Sequence, residues 1–139
     1  MRSFLRPVPI DRAQVKRLEG IARRCLDAAR VRADDGAWLF TPAGSGKYSG
    51  MYPRDFCYAV EGAGRLLPPE EIAAAIDYLL ARQREDGLMP NRVEADGRAV
   101  YVVNEHVPAL NHPPTDNAQF AVKLVDAYVD LTADWDFFA

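Results

Sequence analysis

Apolar residues recur at spacings of three and four along several segments of the chain, which is the spacing of one face of an α-helix. In the first segment Val15, Leu18 and Cys25 lie on such a face, and arginines and lysine occupy the opposite one. Asp11 precedes this pattern and is a good N-cap, so the sequence predicts a helix over 11–32. Similar spacings predict three further helices, over 53–67, 69–86 and 115–131.

Two long segments interrupt these helices. Residues 33–52 are rich in glycine and polar residues and are predicted to form an irregular loop, with a short strand at Trp38-Leu39-Phe40. Asp96-Gly97 separates two short runs, which predicts a β-hairpin over 92–102. Pro7 and Pro9 make residues 1–10 an expected extended lead-in. The expected architecture is a single all-α domain, 1–139, with a small β-hairpin in a loop.

Composition and charge narrow the functional classes. The chain has 139 residues, 49% apolar and 27% charged, which suffices for one folded domain with a core. Its net charge of −3 argues against a nucleic-acid partner, which would favour a basic excess. No apolar run approaches the roughly 18 residues of a membrane span, and the proline-broken start does not resemble a signal peptide. We therefore expect a cytoplasmic protein that binds neither nucleic acid nor membrane.

Two familiar kinds of site are not supported by the residues. Gly44-Ser45-Gly46-Lys47 superficially suggests a phosphate-binding loop, but Thr41 replaces the required glycine and Tyr48 the required serine or threonine. Glu105, His106 and His112 share a proline-rich loop, yet a metal would need three or four converging ligands. The sequence therefore predicts no metal and no cofactor.

Three runs of residues carry a resemblance to a known family: Met51-Tyr52-Pro53-Arg54-Asp55-Phe56, the stretch RQREDGLMPN at 82–91, and TDNAQF at 115–120. In this order and spacing they resemble the six-hairpin glycosidase superfamily, which includes glucoamylases, trehalases and glycogen-debranching glucosidases. The resemblance implies antiparallel helical hairpins forming part of an (α/α)6 toroid. It covers only the first helices of such a barrel, so we expect an N-terminal portion, an incomplete barrel that lacks the full catalytic apparatus.

The resemblance also implies an activity, the hydrolysis of α-linked glucosides or similar oligosaccharides with inversion at the reacting carbon. Arg54 and Asp55 would hold sugar hydroxyls through a fork of donors and an accepting carboxylate. Asp116 would assist them, and Tyr52 and Trp38 would offer rings for sugar faces. The structural alternatives are a solvated Arg54, an Asp55 that only favours the helix dipole, an Asp116 that only caps its helix, and aromatic rings that only pack.

The catalytic carboxyl pair cannot be assigned from the sequence, and neither can the sugar or its linkage. A second hypothesis is therefore a non-catalytic carbohydrate-binding or oligomeric interaction module on the same helical scaffold. In that case the partner covering the inner helices would be a further copy of the chain, whereas the first hypothesis assigns this role to the remainder of the barrel. A polysaccharide lyase or a glycoside phosphorylase on the same scaffold is a third hypothesis.

Overall fold

The computed structural model describes residues 11–138. The lead-in expected over 1–10 lies outside the described residues. The α-helices of the described part are α1 (Arg12–Ala29), α2 (Pro53–Ala63), α3 (Pro69–Leu80) and α4 (Asn117–Thr132). The strands are β1 (Arg30–Arg32), β2 (Trp38–Phe40), β3 (Gly50–Met51), β4 (Arg92–Glu94) and β5 (Ala99–Val100). Short 3₁₀ turns follow at Gly64–Leu66, Pro108–Leu110 and Trp135–Phe138.

The expected all-α toroid is wrong, because the protein is a mixed α and β structure. Two antiparallel sheets are present among residues 11–138: the pair β1-β2 and a three-stranded sheet in the order β3-β4-β5. The expected hairpin accounts for β4 and β5. Strand β3, which precedes α2 in the sequence, pairs with the other edge of β4. A strand of two residues has no readable periodicity. Only the pairing of Met51 with Val93, far apart in sequence, makes it a strand.

The first helix ends three residues earlier than its apolar pattern predicts. Its beginning follows the sequence signal, because Asp11 and Gln14 form a reciprocal capping box. After Ala29 the chain becomes extended, and β1 pairs with β2 in the register Arg30 opposite Phe40. The tight turn between these strands uses Gly36 at φ 94, a conformation that suits glycine. The pairing of the strands therefore overrides the helical continuation.

The core lies between α2, α3, α4, strand β2 and the three-stranded sheet. Phe56, Ile76 and Leu124 are fully buried contributions from the three helices, and Met51 and Val93 are buried contributions from the sheet. Because β3 and β4 supply core side chains, the sheet is part of the packed interior. The first helix is peripheral, since Ala29 is its one buried residue.

Candidate functional site

Helices α2 and α4 lie side by side and run in the same direction. Three contacts show this, because each joins a residue of α2 to the residue 62 positions later in α4. They are the ion pair of Arg54 with Asp116, the ring contact of Tyr58 with Phe120 and the ion pair of Glu61 with Lys123. The contacts follow the two helices in the same order, so the N-termini of α2 and α4 lie at the same end of the molecule.

A cleft of about 300 Å³ lies where these two helix N-termini meet. Its size falls at the lower end of the range usual for small-molecule sites. The helix dipoles and free N–H groups at both N-termini favour ligands with oxygen acceptors. The lining residues come from the two helix starts and from the loops beside them: Tyr52, Arg54, Asp55, Asn91, Val103, His112, Pro114, Thr115, Asp116 and Asn117.

Arg54 and Asp116 meet across the cleft. Nη2 of Arg54 donates a hydrogen bond to Oδ2 of Asp116, and both side chains remain partly open to solvent. Asp116 occupies the N-cap position of α4, yet its side chain makes no capping hydrogen bond. The hydrogen bond to Asp116 raises the pKa of Arg54. Arg54 is therefore a fixed cation whose guanidinium keeps further donors for a ligand.

Tyr52 and Asp55 complete the α2 side of the cleft. Tyr52 is half-buried immediately before α2, and its ring meets the edge of Tyr48 with centroids 5.8 Å apart. Burial raises the pKa of the Tyr52 hydroxyl, so it remains a protonated donor over the whole neutral range. Asp55 lies in the first turn of α2 and also borders a larger hollow beneath α1. The structure thus brings Tyr52, Arg54, Asp55 and Asp116 to one cleft.

Trp38 is the one proposed sugar-binding residue that does not line this cleft. It lies on β2, with the guanidinium groups of Arg30 and Arg32 4.4 and 4.8 Å from the ring centroid. Arg30 in turn pairs with Glu71 of α3. The indole thus packs within the β1-β2 hairpin and its charged neighbours, which is the structural alternative raised for it above.

Two asparagines, Asn91 and Asn117, also line the cleft; the resemblance implies that the loop of Asn91 and the helix start at Asn117 lie at the substrate end, without giving either residue a binding role. Asn117, the first residue of α4, is buried, and its Nδ2 donates to the carbonyl oxygen of Pro90 at 2.7 Å. This bond ties the start of α4 to the segment that carries Asn91. The hydrogen bond between Asn117 and Pro90 is the contact that the tertiary structure adds to this expectation.

A network of charged side chains borders the cleft and was not predicted. Arg92 on β4 donates to the buried carboxylate of Glu94 at 2.6 Å and to Glu105 at 2.8 Å. Arg98 donates to Glu105 as well, at 3.1 Å. Hydrogen bonds from Arg98 and then Arg92 lower the pKa of Glu105. A hollow of about 220 Å³ beside this network shares Tyr52 with the cleft.

Neither a membrane-spanning helix nor a metal-binding cluster is found among the helices and side chains of residues 11–138. No helix in this part of the chain is long and apolar enough to cross a membrane. Within the same residues, no group of three or more histidine, cysteine, aspartate or glutamate side chains could hold a metal ion.

Comparison with protein-family models, curated proteins and solved structures found no match to the chain. Its function is therefore inferred from the residues of the cleft and from their geometry.

Proposed function

We propose that the cleft at the N-termini of α2 and α4 binds the end of a carbohydrate chain, as the substrate-recognition site of a glycoside-hydrolase-like protein for α-linked glucosides. The observation that carries this proposal is the ion pair of Arg54 with Asp116 across the two helix starts, with Asp55 and Tyr52 in the same cleft. The resemblance of the segments around Arg54 and Asp116 to six-hairpin glycosidases supports it.

The chemistry of these groups suits a sugar. Vicinal hydroxyls both donate and accept hydrogen bonds, so a site needs donors and acceptors close together. Arg54 and the Tyr52 hydroxyl supply donors, and the carboxylates of Asp55 and Asp116 supply acceptors. The amides of Asn91 and Asn117 lie beside them and can do both, although Asn117 already donates to Pro90. Hydrogen bonds to charged groups contribute about 1.5–3 kcal/mol each.

We assign Asp116 a binding role and not a catalytic one. Glycoside hydrolysis requires a carboxylic acid and a second carboxylate roughly 5–10 Å apart. Asp116 already accepts a hydrogen bond from Arg54, so its carboxylate and that guanidinium form one donor-and-acceptor pair at the cleft. Arg54 and Asp116 therefore orient hydroxyls of the sugar, and Asp55 accepts from a further hydroxyl.

Replacement of Arg54 tests this assignment. We expect Arg54→Ala to weaken the binding of maltose and maltotriose by about ten- to a hundredfold, which corresponds to the loss of one charged hydrogen-bonding group. Titration calorimetry on the purified chain measures the affinity. Arg84→Ala is the matched control, because Arg84 is a similarly exposed arginine that pairs with an aspartate, Asp86, outside the cleft. This control should leave the affinity unchanged.

Failure of the wild-type chain to bind either sugar would contradict the proposal, as would equal affinities for wild type and Arg54→Ala. The same samples, assayed for newly formed reducing ends, separate the two functional hypotheses. Release of glucose supports hydrolysis. Binding without release favours the non-catalytic carbohydrate-binding module, a candidate that the pairing of Asp116 with Arg54 also supports.

A further inference from the structure

Two apolar surfaces of the molecule are exposed and share no residue. The first, which we call the α1 face, consists of Val15, Leu18, Ile21 and Cys25 on one side of α1. Leu18 is 62% exposed, and in the whole of α1 only Ala29 is buried. An amphipathic helix is normally stabilised by burial of its apolar side. In the described chain this side of α1 stays largely exposed, and Ile21 and Cys25 also border the hollow beneath α1.

The second surface, which we call the α4 groove, is a hollow of about 420 Å³ between the end of α3 and one side of α4. Leu80 and Met89 form one wall, and Val122 and Val125 form the other. Trp135 stands at its edge. Val122 and Trp135 are 73% and 72% exposed, which is unusual for residues of this size beside one another.

The segments that carry the two surfaces have opposite net charge. Along α1, five basic residues stand against Glu19 and Asp27, a net charge of +3: Arg12, Lys16, Arg17, Arg23 and Arg24. Along residues 117–138, which form one wall and the edge of the α4 groove, four aspartates stand against Lys123, a net charge of −3: Asp126, Asp130, Asp134 and Asp136. Asp126 itself lines the groove.

We propose that α1 of one copy of this chain docks into the α4 groove of a second copy. An amphipathic helix laid with its apolar side in an apolar groove is a common mode of protein recognition. Here the helix and the groove match in apolar character and in opposite charge, which orients the two partners and excludes like-charged alternatives. Because the two surfaces differ, the contact joins unlike faces of the two copies, and reciprocal docking closes a dimer.

An anionic lipid surface is the competing occupant of a basic amphipathic helix. The charge of the remaining chain disfavours it. Residues 30–139 carry 17 acidic against 10 basic residues, a net charge of −7, which an anionic bilayer would repel. A membrane would also leave the acidic α4 groove uncovered, whereas docking between copies covers both surfaces at once.

Light scattering of wild type and two charge-introducing variants tests the proposal. The mass of the wild-type protein should rise with concentration from the 15.5 kDa of one chain toward twice that value. Leu18→Glu places a charge on the α1 face and Val122→Glu places a charge in the α4 groove, so each variant alone should remain at the mass of one chain. An equimolar mixture of the two should form a complex of two chains, because Leu18→Glu retains an intact groove and Val122→Glu an intact helix face.

Leu110→Glu is the matched control, since Leu110 is an exposed leucine on neither surface, and it should associate as wild type does. Circular dichroism checks that the variants fold; should Leu18→Glu lose helix, Leu18→Ala retains helix propensity and replaces it. A wild type that stays at one chain's mass at every concentration overturns the proposal. So does a mixture that fails to associate, or binding of phosphatidylserine vesicles by a chain that does not self-associate.

Discussion

Arg54 and Asp116 are 62 residues apart in the sequence, and their side chains meet because each stands at the start of one helix of a parallel pair. What surrounds a charge determines what it can do. Three arginines show this. Arg54 forms an exposed ion pair with Asp116 in the cleft, Arg92 pairs with the buried carboxylate of Glu94, and Arg30 lies over the ring of Trp38. Only the first of these offers open donors to a ligand.

The carboxylate of Glu105 should make stability depend on pH. Its folded pKa lies below the ordinary 4.5 because Arg98 and Arg92 donate to it. A lowered folded pKa stabilises the folded state at pH values above the ordinary pKa, and this stabilisation is lost as the pH falls through the folded pKa. We expect Glu105→Gln to unfold at lower urea concentration than wild type at neutral pH, and the two curves to converge in acid.

Urea titrations at a series of pH values, from neutral to below 4.5, measure this difference. Glu85→Gln is the control, because Glu85 is an exposed glutamate in the turn after α3. A gap between wild type and Glu105→Gln that is the same at every pH would show that the charge of Glu105 is not responsible.

At the scale of the elements, two glycines show how differently the same residue is constrained in a helix and in a strand. Gly62 lies in α2 with open space around the position of a Cβ atom. Gly50 lies in β3, where a Cβ atom would stand 2.7 Å from the carbonyl oxygen of Val93. The three-stranded sheet therefore requires a glycine at its edge, whereas α2 does not.

Alanine substitution should act in opposite directions at these two positions. Gly62→Ala should raise the free energy of unfolding by about 0.5–1 kcal/mol, because alanine restricts the unfolded chain and favours the helix. Gly50→Ala should lower it by about 1–3 kcal/mol, since the strand must move away from β4. Urea denaturation measures both. Stabilisation by Gly50→Ala would mean that β3 does not pair closely with β4.

For the whole molecule, stability comes from the core that α2, α3, α4, β2 and the three-stranded sheet share, and α1 lies at its periphery. Leu124 on α4 is fully buried in the middle of it. The arrangement that holds the core together also holds the cleft, because the parallel packing of α2 and α4 brings their N-termini to one end.

Leu124→Ala should lower the free energy of unfolding by about 2–5 kcal/mol, because it leaves a cavity in the core. Leu110→Ala, the same change at an exposed leucine, should alter it by no more than about 0.5 kcal/mol. Thermal and urea denaturation followed by circular dichroism compare the two. Equal effects would place Leu124 outside the cooperative core.

The sequence was informative where the signal is local. The capping box of α1, the prolines that open α2 and α3, and the turn at Asp96-Gly97 all depend on neighbouring residues, so a pattern of a few positions indicates them. The sequence was misleading about the class of the fold. The continuation of α1 toward residue 32 and the omission of β3 have one cause, because strands of two or three residues form only when a distant partner is present.

By itself the sequence indicated where four helices begin, the short hairpin and the residue types available for binding, because helix periodicity, N-terminal caps and turn chemistry are written within a few residues of each other. It did not give the ends of α2 and α3, which lie at Ala63 and Leu80 and not near residues 67 and 86. The tertiary structure decided the sheets, the parallel pairing of α2 with α4 and the membership of the cleft. In that structure Asp116 pairs with Arg54 and its side chain makes no capping hydrogen bond, and Trp38 lies beside arginines away from the cleft. These outcomes depend on contacts between residues far apart in the chain, and no local pattern encodes which distant partner a side chain meets.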